Sequence, residues 1–302
     1  NVLSGAAGQT TGGAAAFTLE KSVRINEDDS AFLSRTFGSG SNRRTFTISC
    51  WVKRHEIDEN NYLMAARDGT NYPNSSIRAV RNNTFGFYYL DQTSSVNNIL
   101  LQSHTTALFR DPSAWYHFVI AVDTTQSTES DRVKLYVNGV QVTLDGTFPN
   151  QNFDCTISDN IQHTIGRRTK NTGAYEYGDG YFADYHYIDG SALDPTSFGA
   201  FDDNNVWQAA AYSGTYGTNG FHLFDFANES TIGHDSSGNN NDFTNLNLAT
   251  VDQQPDSPTN NHAVFNPLDV ASNGFTVFSE GNLAITSPLL IISFSLTKNS
   301  PT

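Results

Sequence analysis

Charge is scarce in this chain: of 302 residues, 16% are Asp, Glu, Lys or Arg, with 17 basic side chains against 31 acidic ones. So few cations, spread along the sequence, leave no basic stripe for phosphates, which excludes nucleic acid and anionic membrane surfaces as partners. The net charge of 17 − 31 = −14 promotes solubility and discourages loose association. Cysteine is nearly absent. Cys50 and Cys155 make at most one disulfide, neither has the spacing or the nearby His pair of a metal knuckle, and their low number favours two free thiols. Long apolar runs are missing as well. The longest, Leu289-Leu290-Ile291-Ile292-Ser293-Phe294, falls far below the ~20 residues that span a bilayer, so no membrane insertion is expected. No basic-then-apolar leader opens the sequence; residues 1–16 are a Gly, Ala and Thr tract, as expected of a chain that begins inside a longer or processed one. Helical periodicity is carried nowhere.

What is present is neutral and polar. Asn, Ser, Thr and Gly punctuate short apolar segments, and aromatics make up 12% of the chain, enough bulky material for a large core. In residues 45–54 Phe46, Ile48, Cys50 and Val52 share one face and Thr47, Ser49 and Trp51 the other, the period of a half-buried strand. Similar segments follow at 62–66, 84–90, 99–103, 116–122 and 164–167. In 180–188 the alternation sets Tyr181, Ala183, Tyr185 and Tyr187 against Phe182, Asp184, His186 and Ile188. Two alternating runs flank Asn138-Gly139, the dipeptide that accepts the two positive φ angles of a type I′ turn, and predict a hairpin over 133–144. Many short strands with frequent turns predict an all-β, two-sheet antiparallel jelly-roll sandwich at 24–200. Around it lie an N-terminal Gly/Ala-rich segment (1–23), a loop-rich extension (201–268) and a C-terminal strand segment or assembly contact (269–302).

Several short motifs now acquire a shared meaning. Ala114-Trp115-Tyr116-His117 enters a strand, Val133 to Gly139 forms the hairpin, and Ile165-Gly166, Gly180-Tyr181-Phe182-Ala183 and Ile188-Asp189-Gly190 follow. In this order they resemble the concanavalin A-like jelly rolls related to laminin G and pentraxin domains, over about 24–200. A narrower set is Asp29-Ser-Ala-Phe-Leu-Ser-Arg35, Cys50-Trp-Val-Lys-Arg54, Phe109 to His117, Tyr216-Gly-Thr-Asn-Gly-Phe221 and Asp235-Ser-Ser-Gly-Asn-Asn-Asn-Asp-Phe243. It resembles structural proteins of marine bacteriophages, including fibre and appendage proteins, and extends to about 268. That resemblance implies a virion component at the particle surface, a homo-oligomer in contact with other virion subunits, with host-surface polysaccharide as a possible ligand. The alternative is a free carbohydrate-binding module or glycan hydrolase of a secreted protein.

Hydrolases of this fold carry Glu, Asp and Glu at alternate positions of one strand, so that two carboxylates flank the sugar bond. Glu56-Ile57-Asp58-Glu59-Asn60 comes nearest, but Glu59 falls on the wrong face and Asn60 stands where the acid belongs, so no catalytic residue and no enzymatic activity are expected. His117 and His186, inside strand patterns, read as packed or cross-strand residues rather than catalysts. Tyr175, Tyr177 and Tyr181 cluster among Gly and Asp and are the candidates for sugar stacking, against the ordinary alternative of packing at a sandwich edge. Calcium is the candidate ion: Asp235, Asn239 and Asp242 offer hard oxygens within one tight turn, whereas Asx-turns around Gly238 would shape the same loop without metal. The uncharged, β-prone segment 289–294 is expected to be covered by a neighbouring subunit.

Overall fold

The computed structural model describes residues 17–55, 61–67, 74–81, 83–91, 98–169, 173–225, 231–263, 277–279 and 284–286. The Gly/Ala tract at 1–16, the acidic cluster at 56–60 and the segment 289–294 lie outside the described residues. Two antiparallel eight-stranded sheets face each other. The first runs Val140–Gln141, Val133–Val137, Trp115–Asp123, Thr45–Arg54, Gly180–Asp189, Ser22–Ile25 and Gln253–Gln254, with Phe221–Leu223 also paired to Gly180–Asp189. The second runs Leu144–Thr147, Asn98–Thr105, Thr84–Asp91, Asn74–Arg81, Asn61–Arg67, Gln162–Ile165, Phe32–Thr36 and Thr244–Leu246. Among the described residues helix is confined to three 3₁₀ turns of three residues each. The all-β jelly-roll sandwich is therefore as the period-two pattern predicts.

The inner faces meet in one apolar core. Phe46, Ile48, Cys50 and Val52 come from Thr45–Arg54, Phe118, Ile120 and Val122 from the strand beside it, and Leu33, Leu63, Phe85, Phe87 and Ile165 from the opposite sheet. Phe85 and Phe118 bring their ring centroids to 4.5 Å across the gap, and the Tyr185 hydroxyl donates to the Leu63 carbonyl at 3.0 Å. Each fully buried Phe, Leu or Ile of this set stabilises the fold by about 1.5–3 kcal/mol. Both cysteines are buried thiols with no disulfide. Burial pushes both up, Cys155 to about 12, which makes them inert.

The hairpin turns at Asn138 (φ 48°) and Gly139 (φ 79°), as the Asn-Gly dipeptide predicts, with Val137 opposite Val140. The turn also serves a docking purpose. A Cβ on Gly139 would lie 2.3 Å from the Trp207 ring, so glycine here meets both the backbone angle and the close approach of the indole.

Two expectations need correction. Thr45–Arg54 is not half-buried: past its first residue it is buried on both faces. A second layer covers the outer face of the first sheet, where Trp51, Trp115, Tyr181 and Ala183 pack against Leu19, Trp207 and Ala209. Farther along the same face Val119 and Ile188 pack against Phe198, with Tyr212 and Tyr216 beside them. The simple alternation over 180–188 also fails, because Ala183 pairs with Trp51 and His186 with Ser49, three steps on one strand against two on the other. This β-bulge carries Asp184 at φ 49° and switches the phase of the strand. Before it, Tyr181 and Ala183 face outward; after it, Tyr185 and Tyr187 point into the core, leaving Asp184, His186 and Ile188 outside.

The described residues of 193–262 form a wrap. Phe198, Trp207 and Ala209 cover this outer face by apolar packing, Phe243 and Leu248 enter the core between the sheets, and Thr244–Leu246 pairs with Phe32–Thr36 in the second sheet. Directed polar contacts tie the wrap down. The Lys53 ammonium, fully buried, donates to Asp256 Oδ2 at 2.7 Å, Asn261 Oδ1 at 2.8 Å and the His262 carbonyl at 2.7 Å. The Trp115 indole N–H donates to Asp256 Oδ1 at 2.9 Å and the Ser22 hydroxyl to the Asp256 carbonyl at 2.6 Å. Leu19 N donates to Thr259 Oγ1 at 3.1 Å, and that hydroxyl donates back to the Leu19 carbonyl. The chain divides into two compact units at 262/263. In the second, Val277–Ser279 pairs antiparallel with Ala284–Thr286.

Candidate functional site

The short hairpin Arg167–Thr169 and Tyr175–Tyr177 projects two of the three candidate tyrosines together. Their rings lie 6.2 Å apart at 63°, and Tyr175 is 53% exposed. Beneath them the buried Arg167 guanidinium sits 3.6 Å from the Phe32 centroid and 4.0 Å from that of Tyr175. Such cation–π contacts fix ring orientation and contribute about 0.5–2 kcal/mol each. Arg168 braces the hairpin by donating to Glu176 Oε2 at 2.6 Å and to the Tyr62 hydroxyl at 3.2 Å. The result is an aromatic surface held by cations together with ring packing, Phe32 lying 6.1 Å from Tyr177. Tyr181 does not join it: the ring is 2% exposed and packs edge-on against Trp115 at 6.4 Å on the outer face of the first sheet.

Asp235, Asn239 and Asp242 stand in one loop, and their polar atoms are engaged by the chain itself. Asp235 Oδ1 accepts from the backbone N–H groups of His222 and Ser237, both at 2.9 Å, and Oδ2 from Asn241 N at 2.7 Å and the Ser237 hydroxyl at 2.9 Å. Asp242 Oδ1 accepts from Asp235 N at 2.8 Å and lies 3.2 Å from His234 Nδ1. Asn239 and Asn241 turn their amide nitrogens to the carbonyls of Gly217, Thr218 and Gly220. Arg35 ties the loop to the second sheet through the Asp242 carbonyl at 2.6 Å and Asn241 Oδ1 at 2.7 Å. This is Asx-type side-chain-to-backbone bonding, which shapes a loop.

The bulge creates a polar cluster on the outer face that the sequence reading did not assemble. Asp184 Oδ1 lies 3.0 Å from His186 Nε2 and 2.9 Å from His222 Nε2. His186 and His222 are direct cross-strand partners, with rings stacked at 4.0 Å and 13°. The far ring nitrogens meet hydroxyls: His186 Nδ1 with Tyr216 at 2.9 Å, His222 Nδ1 with Ser236 Oγ at 2.9 Å. Burial alone would raise the Asp184 carboxyl, but His186 and His222 hold it below the usual carboxylate range, while burial lowers His186. Among the described residues, these three are the group whose ligand atoms converge well enough to hold a metal, all within 4.8 Å of one another.

His117 and His186 are both buried and hydrogen-bonded, as packed cross-strand histidines should be. The Trp207 indole can only donate, so His117 Nδ1 accepts at 3.0 Å and its Nε2–H faces Ser49 Oγ at 2.8 Å. Burial pushes this imidazole down to about 3 and keeps it neutral. The sequence offered one hint of the missed partners, His222 within the alternating Phe221-His222-Leu223; which strand it would pair with was not encoded locally. Nothing in the sequence singled out Arg167, whose role depends on Phe32, far away along the chain.

Residues 26–210, more than half of the chain, match the Laminin_G_3 family of the concanavalin A-like lectin/glucanases superfamily, and the protein belongs to that family. No curated protein matches it. Among solved structures, the heptameric SAP-like pentraxin of Limulus polyphemus is 16% identical, with 59% of this chain and 80% of that chain covered at a TM-score of 0.40. A Bacteroides ovatus protein, described as a candidate carbohydrate binder, is 13% identical over 77% of this chain and 61% of its own, TM-score 0.40. Domains LG4-5 of the mouse laminin alpha1 chain are 11% identical over 77% of this chain and 53% of that fragment, also at 0.40. Similarity of this degree assigns no function.

Proposed function

We propose that the protein is a structural subunit of a bacteriophage virion, in a fibre, tail or capsid appendage, whose lectin-like jelly roll binds host-surface glycans at the Tyr175 rim. The observation that carries the binding reading is the exposed Tyr175 ring held over the buried Arg167 guanidinium. A ring fixed this way presents a flat apolar face to a sugar with little rotamer entropy left to lose. Binding rather than hydrolysis is supported by the engagement of the buried carboxylates of Asp189, Asp235 and Asp256 with the chain's own donors. The virion reading draws on the Tyr216–Phe221 and Asp235–Phe243 motifs, the segments that resemble marine phage structural proteins. In the fold they clasp the wrap to the sandwich.

A shallow rim gives weak affinity per site, so recognition depends on many copies acting together on one particle. Glycan arrays probed with a multivalent display of the full chain test this. Binding lost in Tyr175→Ala supports the rim, whereas no binding to any glycan, or binding unchanged in both Tyr175→Ala and Tyr177→Ala, overturns it. Release of reducing sugar by the same preparation would favour the hydrolase alternative. Detection of the chain in purified phage particles tests the virion role. Truncation after Ser287 followed by light scattering tests whether the terminal segment mediates assembly.

A further inference from the structure

We propose that Asp184, His186 and His222 form a structural zinc site that ties the wrap to the outer face of the sandwich. The argument begins with the donor set. Calcium and magnesium are held by oxygens, whereas two imidazoles and one carboxylate suit a borderline divalent ion, and zinc takes such ligands without redox chemistry. Ligands bound tetrahedrally at about 2.0–2.2 Å to one ion lie roughly 3.3–3.6 Å apart. Asp184 Oδ1 is 3.0 Å from one Nε2 and 2.9 Å from the other, and all three ligand atoms lie within 4.8 Å of one another, so an ion entering here parts the ligands by about half an ångström and tilts the stacked rings toward itself.

Three further observations point to an ion rather than a closed hydrogen-bond cluster. Asp184 Oδ2 is buried with no hydrogen-bond partner, on a side chain 1% exposed. A buried carboxylate oxygen normally finds a donor, and a cation bound by this carboxylate would supply the missing charge. Both histidines also engage a hydroxyl through the ring nitrogen that points away from the carboxylate, the outer-shell arrangement of metal-bound imidazoles. Tyr216 and Ser236 hydroxyls can accept as well as donate. When Nε2 binds zinc, each ring carries its proton on Nδ1 and donates it to the hydroxyl, which turns its own hydrogen elsewhere. Finally, the ligands come from two regions. Asp184 and His186 lie on the central strand of the first sheet, and His222 on Phe221–Leu223, which enters that sheet from the wrap. A water, or Asp184 Oδ2 itself, completes the fourth position. The His222 side chain is 12% exposed and marks the way in.

The test uses the full chain, stripped with a chelator and titrated with zinc sulfate by calorimetry, with cobalt(II) as a spectroscopic probe. We expect one equivalent of zinc per chain, a rise in Tm on loading, and ligand-field absorption of the cobalt form typical of four coordination. His222→Gln, at the accessible edge of the cluster, should abolish all three, and Tyr216→Phe should weaken affinity about tenfold or more. If His222→Gln does not fold, the wild-type titration still decides. Absence of stoichiometric zinc binding, or a cobalt spectrum showing only hydrated ion, overturns the site. Binding that persists in a folded His222→Gln chain also overturns it, by placing the ion elsewhere.

Discussion

The sandwich and its wrap are built by different physics. Between the sheets, Phe46, Ile48, Phe85, Phe118 and Tyr185 interlock through apolar contact, and few polar atoms are needed. In the wrap, the described residues of 193–262 form only short strands and 3₁₀ turns. Beside the packing of Phe198, Trp207 and Ala209, they are pinned by directed bonds: Lys53 to Asp256, Trp207 to His117, Asn219 to Asp189, Arg35 to Asn241. Apolar layers degrade gradually when trimmed, because neighbouring atoms relax into the gap. A buried charge or a lone donor has no such tolerance, since removing its partner exposes the full desolvation penalty. The wrap should therefore be the more brittle half.

The largest expected effect comes from Asp256→Ala, which leaves the fully buried Lys53 ammonium without its carboxylate partner. Loss of one partner of a buried pair costs about 3–5 kcal/mol, and urea denaturation measures it. The double variant with Lys53→Met should recover most of that loss. A single-variant effect below ~1 kcal/mol would show that the wrap and sandwich are not coupled through this clamp.

Acid should act next, and on both regions. His163, buried against Phe37 and donating from Nδ1 to the Ile161 carbonyl, is pushed down to about 4 by burial, with Asp159 the charge that opposes the shift. His117 under Trp207 is pushed to about 3 by burial, partly opposed by Asp184 and reinforced by His186. Both folded values lie below the ordinary 6.5. Stability is therefore full above pH 6.5 and falls as pH drops, because the unfolded chain takes up protons the folded one refuses. From pH 6.5 to 4 the loss from His163 alone is about 3 kcal/mol. His163→Gln should flatten this part of the Tm–pH curve, and Trp207→Phe should reduce the His117 part by freeing Nδ1. A Tm that is flat across this range would contradict the neutral assignment of both rings.

Gly139→Ala comes third, since alanine meets both the left-handed angle and the Trp207 ring, at a cost of about 1–3 kcal/mol by thermal melts. A neutral result would mean that Trp207 moves aside freely. The smallest effect belongs to Tyr175→Ala, expected to cost about 0.5–1 kcal/mol, the cation–π contact of a half-exposed ring, while removing glycan binding. A large loss of stability there would make the ring a packing element instead of a contact surface.

How legible each region was follows from the same contrast. Alternation along 45–54 and the Asn138-Gly139 dipeptide are local, and they announced strand, face and turn correctly. The bulge at Asp184 escaped because one inserted residue leaves the hydrophobic pattern nearly unchanged while reversing which aromatics face inward. Burial of Trp51 and Ser49 escaped for a different reason: the cover arrives from residues about 150 positions later, and no periodicity forecasts a partner. The clasp motifs were visible as strings of Asn, Asp and Gly. Their targets, main-chain carbonyls such as those of Gly217 and Gly220, leave no trace in side-chain identity. Of the candidate tyrosines, 175 and 177 share a hairpin, and 181 lies on a strand whose outer face is covered.

The edge of the first sheet has one more consequence. Ser22 pairs with Gln254 and Val23 with Gln253, while Leu19 and Thr259 exchange hydrogen bonds, so the described part of the first unit begins and ends at neighbouring points. A unit with adjacent ends can be spliced into a surface loop of another protein at little geometric expense, entering and leaving through the gap of a single turn. Tension applied across those ends would open the short Ser22–Ile25 and Gln253–Gln254 pair one bond at a time, like a zip. The Lys53 clamp on Asp256, Asn261 and His262 would take up the first of that load and pass it to the central strand Thr45–Arg54.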